Sequence, residues 1–168
     1  MRPGNIILTG FMATGKSAVG RRLAQILGRR FVDTDELIAA RQGCSVAGIF
    51  RHHGEAYFRK LEAEVARELA MAGGLVVATG GRLLLDPGNA EVLGRTGRIF
   101  CLTAEPEAIL ARVEADTEVR RPLLETEDRL ARITALLKER AAGYARFEAL
   151  DTTGRSPEEI ARDIAARI

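Results

Sequence analysis

Residues 5–17 read NIILTGFMATGKS, and this stretch decides the fold. Ile6-Ile7-Leu8 is an apolar run of strand length with β-branched content. Gly10 cuts it off, and Gly15-Lys16-Ser17 opens a segment, SAVGRRLAQIL, with helical periodicity. The order is strand, G-x-x-x-x-G-K-[ST], helix, which is the setting of a phosphate-binding loop. Such a loop turns its backbone N–H groups, here those of Ala13, Thr14, Gly15, Lys16, Ser17 and Ala18, around an anion. The helix N-terminus adds partial positive charge at the same spot. Lys16 can then reach the outer phosphates, and Ser17 offers an oxygen to Mg²⁺.

Around this loop, 168 residues suffice for one domain with a real core. A hydrophobic content of 46% with 29% charged residues is ordinary for a globular protein. The first strand begins within a few residues of Met1, and no apolar run approaches membrane-spanning length. Cys44 and Cys101 lack metal-ligand spacing and read as reduced thiols, so the expected setting is cytoplasmic. The net charge of +2 comes with acidic residues interleaved throughout and only 5% aromatics. Neither a nucleic-acid nor a membrane partner is expected, and the chain is expected to be a monomer.

Further along, a helix over about 16–27 stops at Gly28, and Arg30-Phe31-Val32 forms a second strand ending in Asp33-Thr34-Asp35. Helical stretches follow: Glu36 to Arg41, VAGIFRHH capped by Ser45, and Glu55 to about Ala72. Leu75-Val76-Val77-Ala78 has the unbroken apolarity of a buried parallel strand and ends in Thr79-Gly80-Gly81. A helix from Pro87, a strand from Arg98 to Leu102 and a helix from Glu105 to Glu114 come next. The charged segment ADTEVRRPLLETED reads as a mobile surface segment. After it come a helix from Asp128 to Tyr144, a short strand at Ala149-Leu150-Asp151 and a helix capped by Ser156. This alternation predicts an α/β fold, a P-loop NTPase-type three-layer sandwich with a five-stranded parallel sheet and helices on both faces. Its crevice lies at the carboxyl ends of the strands, where Lys16, Asp33, Asp35 and Gly80-Gly81 fall.

Phosphate binding permits hydrolysis, switching or phosphoryl transfer. No N-K-x-D guanine motif is present, and strand three lacks a terminal carboxylate, which leaves Asp33 as the nearest partner for Mg²⁺. Asp35 is placed to hydrogen-bond or deprotonate a hydroxyl, although the pair also fits a plain helix N-cap. Arg59 and Arg140 can converge on a carboxylate, while each alone reads as a solvated helix-face arginine. Arg120-Arg121-Pro122-Leu123-Leu124 suits a lid that excludes water and delivers a cation. His52 and His53 read as surface or capping residues.

Together these motifs resemble the shikimate kinase family over nearly the whole chain. GFMATGKS resembles its phosphate loop, FVDTDELI its strand-two stretch, and GCSVAGIF with GEAYFRKLE its helical acceptor insert. ATGG resembles its glycine turn, RRPLL its lid, Arg140-x-x-x-Tyr144 its later arginine motif, and DTTGRSPEEI its adenine-side C-terminus. The resemblance implies one kinase domain over 1–168, with the acceptor insert over about 34–62 and the lid over about 113–126. It implies ATP-dependent phosphorylation of the shikimate 3-hydroxyl with Mg²⁺. Lys16 and Arg121 would stabilise the transferred phosphoryl, and Ser17 would ligate the metal with Asp33 in support. Asp35 would hold the acceptor hydroxyl, Arg59 and Arg140 the carboxylate, and the Gly81 backbone the ring. Phe50, Phe58 and Glu62 would shape that pocket, and Arg112 and Arg155 would lie beside adenine.

The chain departs from the family pattern at three places. Ala13 stands where the family has Gly, and Arg82 stands where a third glycine is usual. The stretch from Arg112 to Arg121 is two residues longer than expected. The milder expectation for Arg82 is that it points to solvent. The alternatives are a crowded pocket, or a kinase of the same fold acting on another small hydroxylated anionic acceptor. A non-catalytic nucleotide-binding module is the competing class, and the acceptor-side residues argue against it.

Overall fold

Apolar runs flanked by helical segments give a five-stranded sheet in the order β2-β3-β1-β4-β5, parallel throughout. The computed structural model describes residues 4–119 and 121–168. The strands are β1 (Asn5–Gly10), β2 (Arg30–Asp33), β3 (Leu75–Ala78), β4 (Gly97–Thr103) and β5 (Glu148–Asp151). The helices are α1 (Lys16–Leu27), α2 (Thr34–Gln42), α3 (Val46–His53), α4 (Glu55–Met71), α5 (Pro87–Gly94), α6 (Pro106–Ala115), α7 (Arg129–Tyr144) and α8 (Pro157–Arg167).

Side chains alternate across β1 and divide the core. Ile6 and Leu8 pack with Val19, Leu23, Ile160 and Ile164 under α1 and α8. Ile7 faces the opposite way, toward Val65, Leu69 and Leu93 of α4 and α5. Cys101, on that second face, joins Ile109, Ile133 and Leu136 of α6 and α7. Both faces of the sheet are therefore covered, as the unbroken apolarity of β3 requires.

The expected helix ends hold. Gly28 and Gly43 close α1 and α2 in left-handed geometry, Ser45 accepts from Gly48 N, and Ser156 forms a capping box with Glu159. One expectation needs correction. The segment between α6 and α7 is anchored, because Leu124 in a 3₁₀ turn at Pro122–Leu124 is buried against the α6–α7 cluster. Apolar Leu124 has a core site to fill, which charge density alone did not disclose. Arg120 of the expected lid lies outside the described residues.

Candidate active site

The phosphate loop bridges β1 and α1 in a left-handed sequence of turns. Ala13 has φ 57°, and Gly15 φ 100°. Ala13 is the residue in which Gly was expected, and its conformation is the one that favours glycine. Thr14 Oγ1 donates to Phe11 O at 2.7 Å, and Lys16 Nζ folds back to Gly10 O at 2.9 Å and Phe11 O at 2.7 Å. Burial lowers the Lys16 pKa to about 8, against the pull of Asp35 and Asp33, while Arg121 lowers it further. Arg121 is thus close enough to Lys16 to act on it electrostatically. Its Nη2 pairs with Asp116 at 3.2 Å.

Asp33 serves two purposes. Its Oδ1 accepts from Asp35 N and Glu36 N and caps α2, the structural role open to this pair in sequence. Its Oδ2 accepts from Ser17 Oγ at 2.6 Å. Two hard oxygens thus meet at the start of α1, which suits Mg²⁺, an ion that keeps several waters and takes one or two protein oxygens beside substrate phosphates. No cluster of three or more His, Cys, Asp or Glu suited to a metal occurs among the described residues.

Asp35, in the first turn of α2, points toward Gly80 of the turn after β3. Burial raises its pKa to about 6; Asp33 adds to the rise, and Lys16 and Arg59 oppose it. Asp35 Oδ1, Glu62 Oε1 and Arg121 Nε are buried without hydrogen-bond partners. Asp35 Oδ1 and Glu62 Oε1 both lie against Gly80, so two unsatisfied acceptors face the same turn. Native structures seldom leave such groups without a ligand to meet them.

On the acceptor side, Arg59 Nη1 donates to Glu62 Oε2 at 2.7 Å and lies over the Phe50 and Phe58 rings. Burial raises the pKa of Glu62 and Arg59 opposes this. Arg140 corrects the solvated-arginine reading. It is 8% exposed, lies over the Phe11 ring and forms no ion pair among the described residues. Tyr144, one turn on, donates its hydroxyl to Gly81 O at 2.6 Å and holds the glycine turn in place. Arg82 is exposed, in keeping with the milder expectation, and its Nη1 pairs with Glu55 at 3.2 Å. His52 and His53 are exposed, as expected.

Arg112 reaches inward. Nη1 donates to Ala13 O and to Thr152 Oγ1, both at 3.0 Å, and Nη2 donates to Thr152 O at 2.7 Å. Thr152 Oγ1 in turn lies 2.9 Å from Thr14 O. Arg155 pairs with Asp163 at 3.2 Å and lies near Asp151. Thr152 and Glu55 were not singled out in sequence. Thr152 and Glu55 show themselves only through the partners that folding brings to them. Gly80 has a sequence signal in the glycine pair, but Gly81 alone was assigned.

Comparison with known proteins agrees with this geometry. The family model described as shikimate kinase matches residues 12–168. The shikimate kinase of Geobacter sulfurreducens is 44% identical over 96% of this chain and 88% of its own length. That of Thermus thermophilus is 41% identical over 99% and 91%. The structure of the Acinetobacter baumannii shikimate kinase in complex with shikimate superposes with a TM-score of 0.90 at 35% identity, covering 98% of this chain and 92% of the other. The chain is an ATP-dependent small-molecule kinase and belongs to the shikimate kinase family.

Proposed function

We propose that the crevice transfers the γ-phosphoryl group of ATP to the 3-hydroxyl of shikimate. The observation that carries this reading is Asp35: a partly buried carboxylate with one buried, unpartnered oxygen, within the fields of both Lys16 and Arg59. With its pKa near 6, Asp35 is ionised at neutral pH yet basic enough to take a hydroxyl proton. The hydroxyl oxygen forms the new P–O bond as the bond from the γ-phosphorus to its bridging oxygen breaks, and the proton passes to Asp35. ADP and the 3-phosphate leave.

Lys16 and Arg121 stand on the phosphate side, where positive charge spreads over the transferring group. The loop N–H groups from Ala13 to Ala18 cradle the remaining phosphates. Ser17 and Asp33 would hold Mg²⁺, which would offset the negative charge of the phosphates. Arg59 and Arg140 grip the acceptor carboxylate, and Gly81 backs its ring. Arg112 and Arg155 border the adenine. The segment over about 113–126 serves as lid, and the insert over about 34–62 carries the acceptor.

Arg82 brings no spare charge to the pocket, because Glu55 meets it; this supports shikimate over a more anionic acceptor. Two free thiols and the use of ATP support a cytoplasmic setting. No described helix is long and apolar enough to cross a membrane.

The test is coupled ADP release with ATP, Mg²⁺ and shikimate. Turnover is expected, with kcat falling about 100-fold or more in Asp35→Asn and the KM for shikimate rising in Arg59→Ala. No shikimate turnover, with thermal stabilisation by ATP intact, would sink the reading in favour of a nucleotide-binding module.

A further inference from the structure

One oxygen at the rim of the acceptor pocket is shared by three donors. Glu55 Oε1 lies 3.2 Å from Arg82 Nη1 and 3.3 Å from both Arg59 Nε and Arg59 Nη2. These are long, divided hydrogen bonds, weaker than the 2.7 Å bond that holds Arg59 Nη1 to Glu62 on the inner side. Arg59 is thus fixed firmly from within and only loosely from the rim. Glu55, Arg82 and Arg59 line a cavity of about 480 Å³ together with Glu62, Leu85 and Asp86.

The charges decide what an incoming carboxylate meets. Without Arg82, Glu55 and Glu62 would present two carboxylates to one guanidinium, and a third carboxylate would approach a like-charged rim. With Arg82, the rim holds a second guanidinium and Glu55 has a second cation to turn to. We propose that Arg82 sets the affinity for carboxylate-bearing acceptors by drawing Glu55 off Arg59 when the acceptor carboxylate arrives. Glu55 exchanges partners and is never left unpaired, so Arg59 is released at little cost. Arg82 joins the loop after β3 to the first turn of α4 and touches no reacting atom. It is a positioning residue that acts through Glu55 and Arg59.

This inference rests on the reading that Arg59 binds the acceptor carboxylate, and the experiment separates the two. Steady-state constants are measured at low ionic strength for shikimate and for its methyl ester, in which the carboxylate is neutral. Arg82→Gln is expected to raise the KM for shikimate about three- to fivefold, the size of one partly exposed ion pair. The kcat is expected to stay within about twofold, since Arg82 makes no contact specific to the transition state. The KM for the ester stays as in the parent. Arg82→Lys restores most of the affinity. Glu55→Gln combined with Arg82→Gln returns the KM toward the parent, because the repelling charge is gone. An unchanged KM in Arg82→Gln, an equal rise for the ester, or no recovery in the double variant overturns the inference. If Arg59→Ala also leaves the KM for shikimate unchanged, the reading of Arg59 falls with it. If Arg59→Ala raises the KM and Arg82→Gln does not, only the role of Arg82 falls.

Discussion

Asp35 and Gly80 occupy space that no added side chain can share: a Cβ on Gly80 would lie 2.6 Å from Asp35 Oδ1 and 3.1 Å from Glu62 Oε1. The loop after β3 therefore presses its bare backbone against the one carboxylate placed to receive a proton. Gly80→Ala is expected to push Asp35 out of line and lower kcat about 10- to 100-fold, as a displacement of that order does elsewhere. The overpacking is expected to cost about 1–3 kcal/mol of stability. Steady-state assays and thermal melts check both.

Activity is expected to show a bell-shaped pH dependence in kcat/KM. The acid limb lies near pH 6, where Asp35 takes up its proton, and the alkaline limb near pH 8, where Lys16 loses its own. Stability follows the opposite logic for Asp35. Its folded pKa of about 6 lies above the ordinary 3.8, so its contribution is full at low pH and is lost as pH rises from about 4 through 6. Asp35→Asn is thus expected to be inactive and more stable than the parent at pH 7, by about 2–3 kcal/mol. An equal or lower melting temperature would refute the burial argument.

Lys16→Met removes a buried cation whose folded pKa lies below its ordinary 10.5. The parent loses stability as pH falls from about 10.5 through 8, and the variant does not. Loss of phosphoryl transfer with an intact far-UV circular dichroism spectrum is expected. A melted spectrum would show that the hydrogen bonds to Gly10 and Phe11 are structural.

Ala13→Gly relieves a Cβ held at φ 57°. The left-handed conformation costs an L-residue about 1 kcal/mol or more, against roughly 0.5–1 kcal/mol for the freedom glycine loses on folding. A gain of a few tenths of a kcal/mol is expected, with the KM for ATP unchanged. A clear loss of stability would mean that the Ala13 methyl, which packs beside the α6–α7 cluster, contributes more than the strain removes.

Thr152→Val keeps the shape and deletes the hydroxyl that meets both Arg112 and the loop carbonyl of Thr14. Leaving these buried partners unmet is expected to cost about 1–3 kcal/mol. The KM for ATP is expected to rise more than that for shikimate. Equal effects on both would argue against a role confined to the nucleotide side.

Much of this was legible in the sequence because the signals are local. A buried parallel strand must be apolar over its length, as Leu75 to Ala78 is, and helix ends carry their caps nearby, as Ser45 and Ser156 do. The placement of Lys16 and Asp35 at strand ends follows from topology alone. The burial of Arg140 and the pairing of Arg82 with Glu55 were not legible. Each depends on a partner 27 or more residues away, and no periodicity encodes which guanidinium is stacked on a ring and which is met by a carboxylate. The strand order with β1 in the centre likewise has no local signature.

The link from Thr152 to the carbonyl of Thr14 spans 138 residues and joins the end of the last strand to the first motif of the chain. During synthesis the glycine-lysine turn leaves the ribosome early, but the carbonyl of Thr14 meets the Thr152 hydroxyl only when β5 docks beside β4. A nascent chain lacking that strand has the letters of a nucleotide site without its finished shape. The last strand thus completes a loop that the first motif of the chain begins.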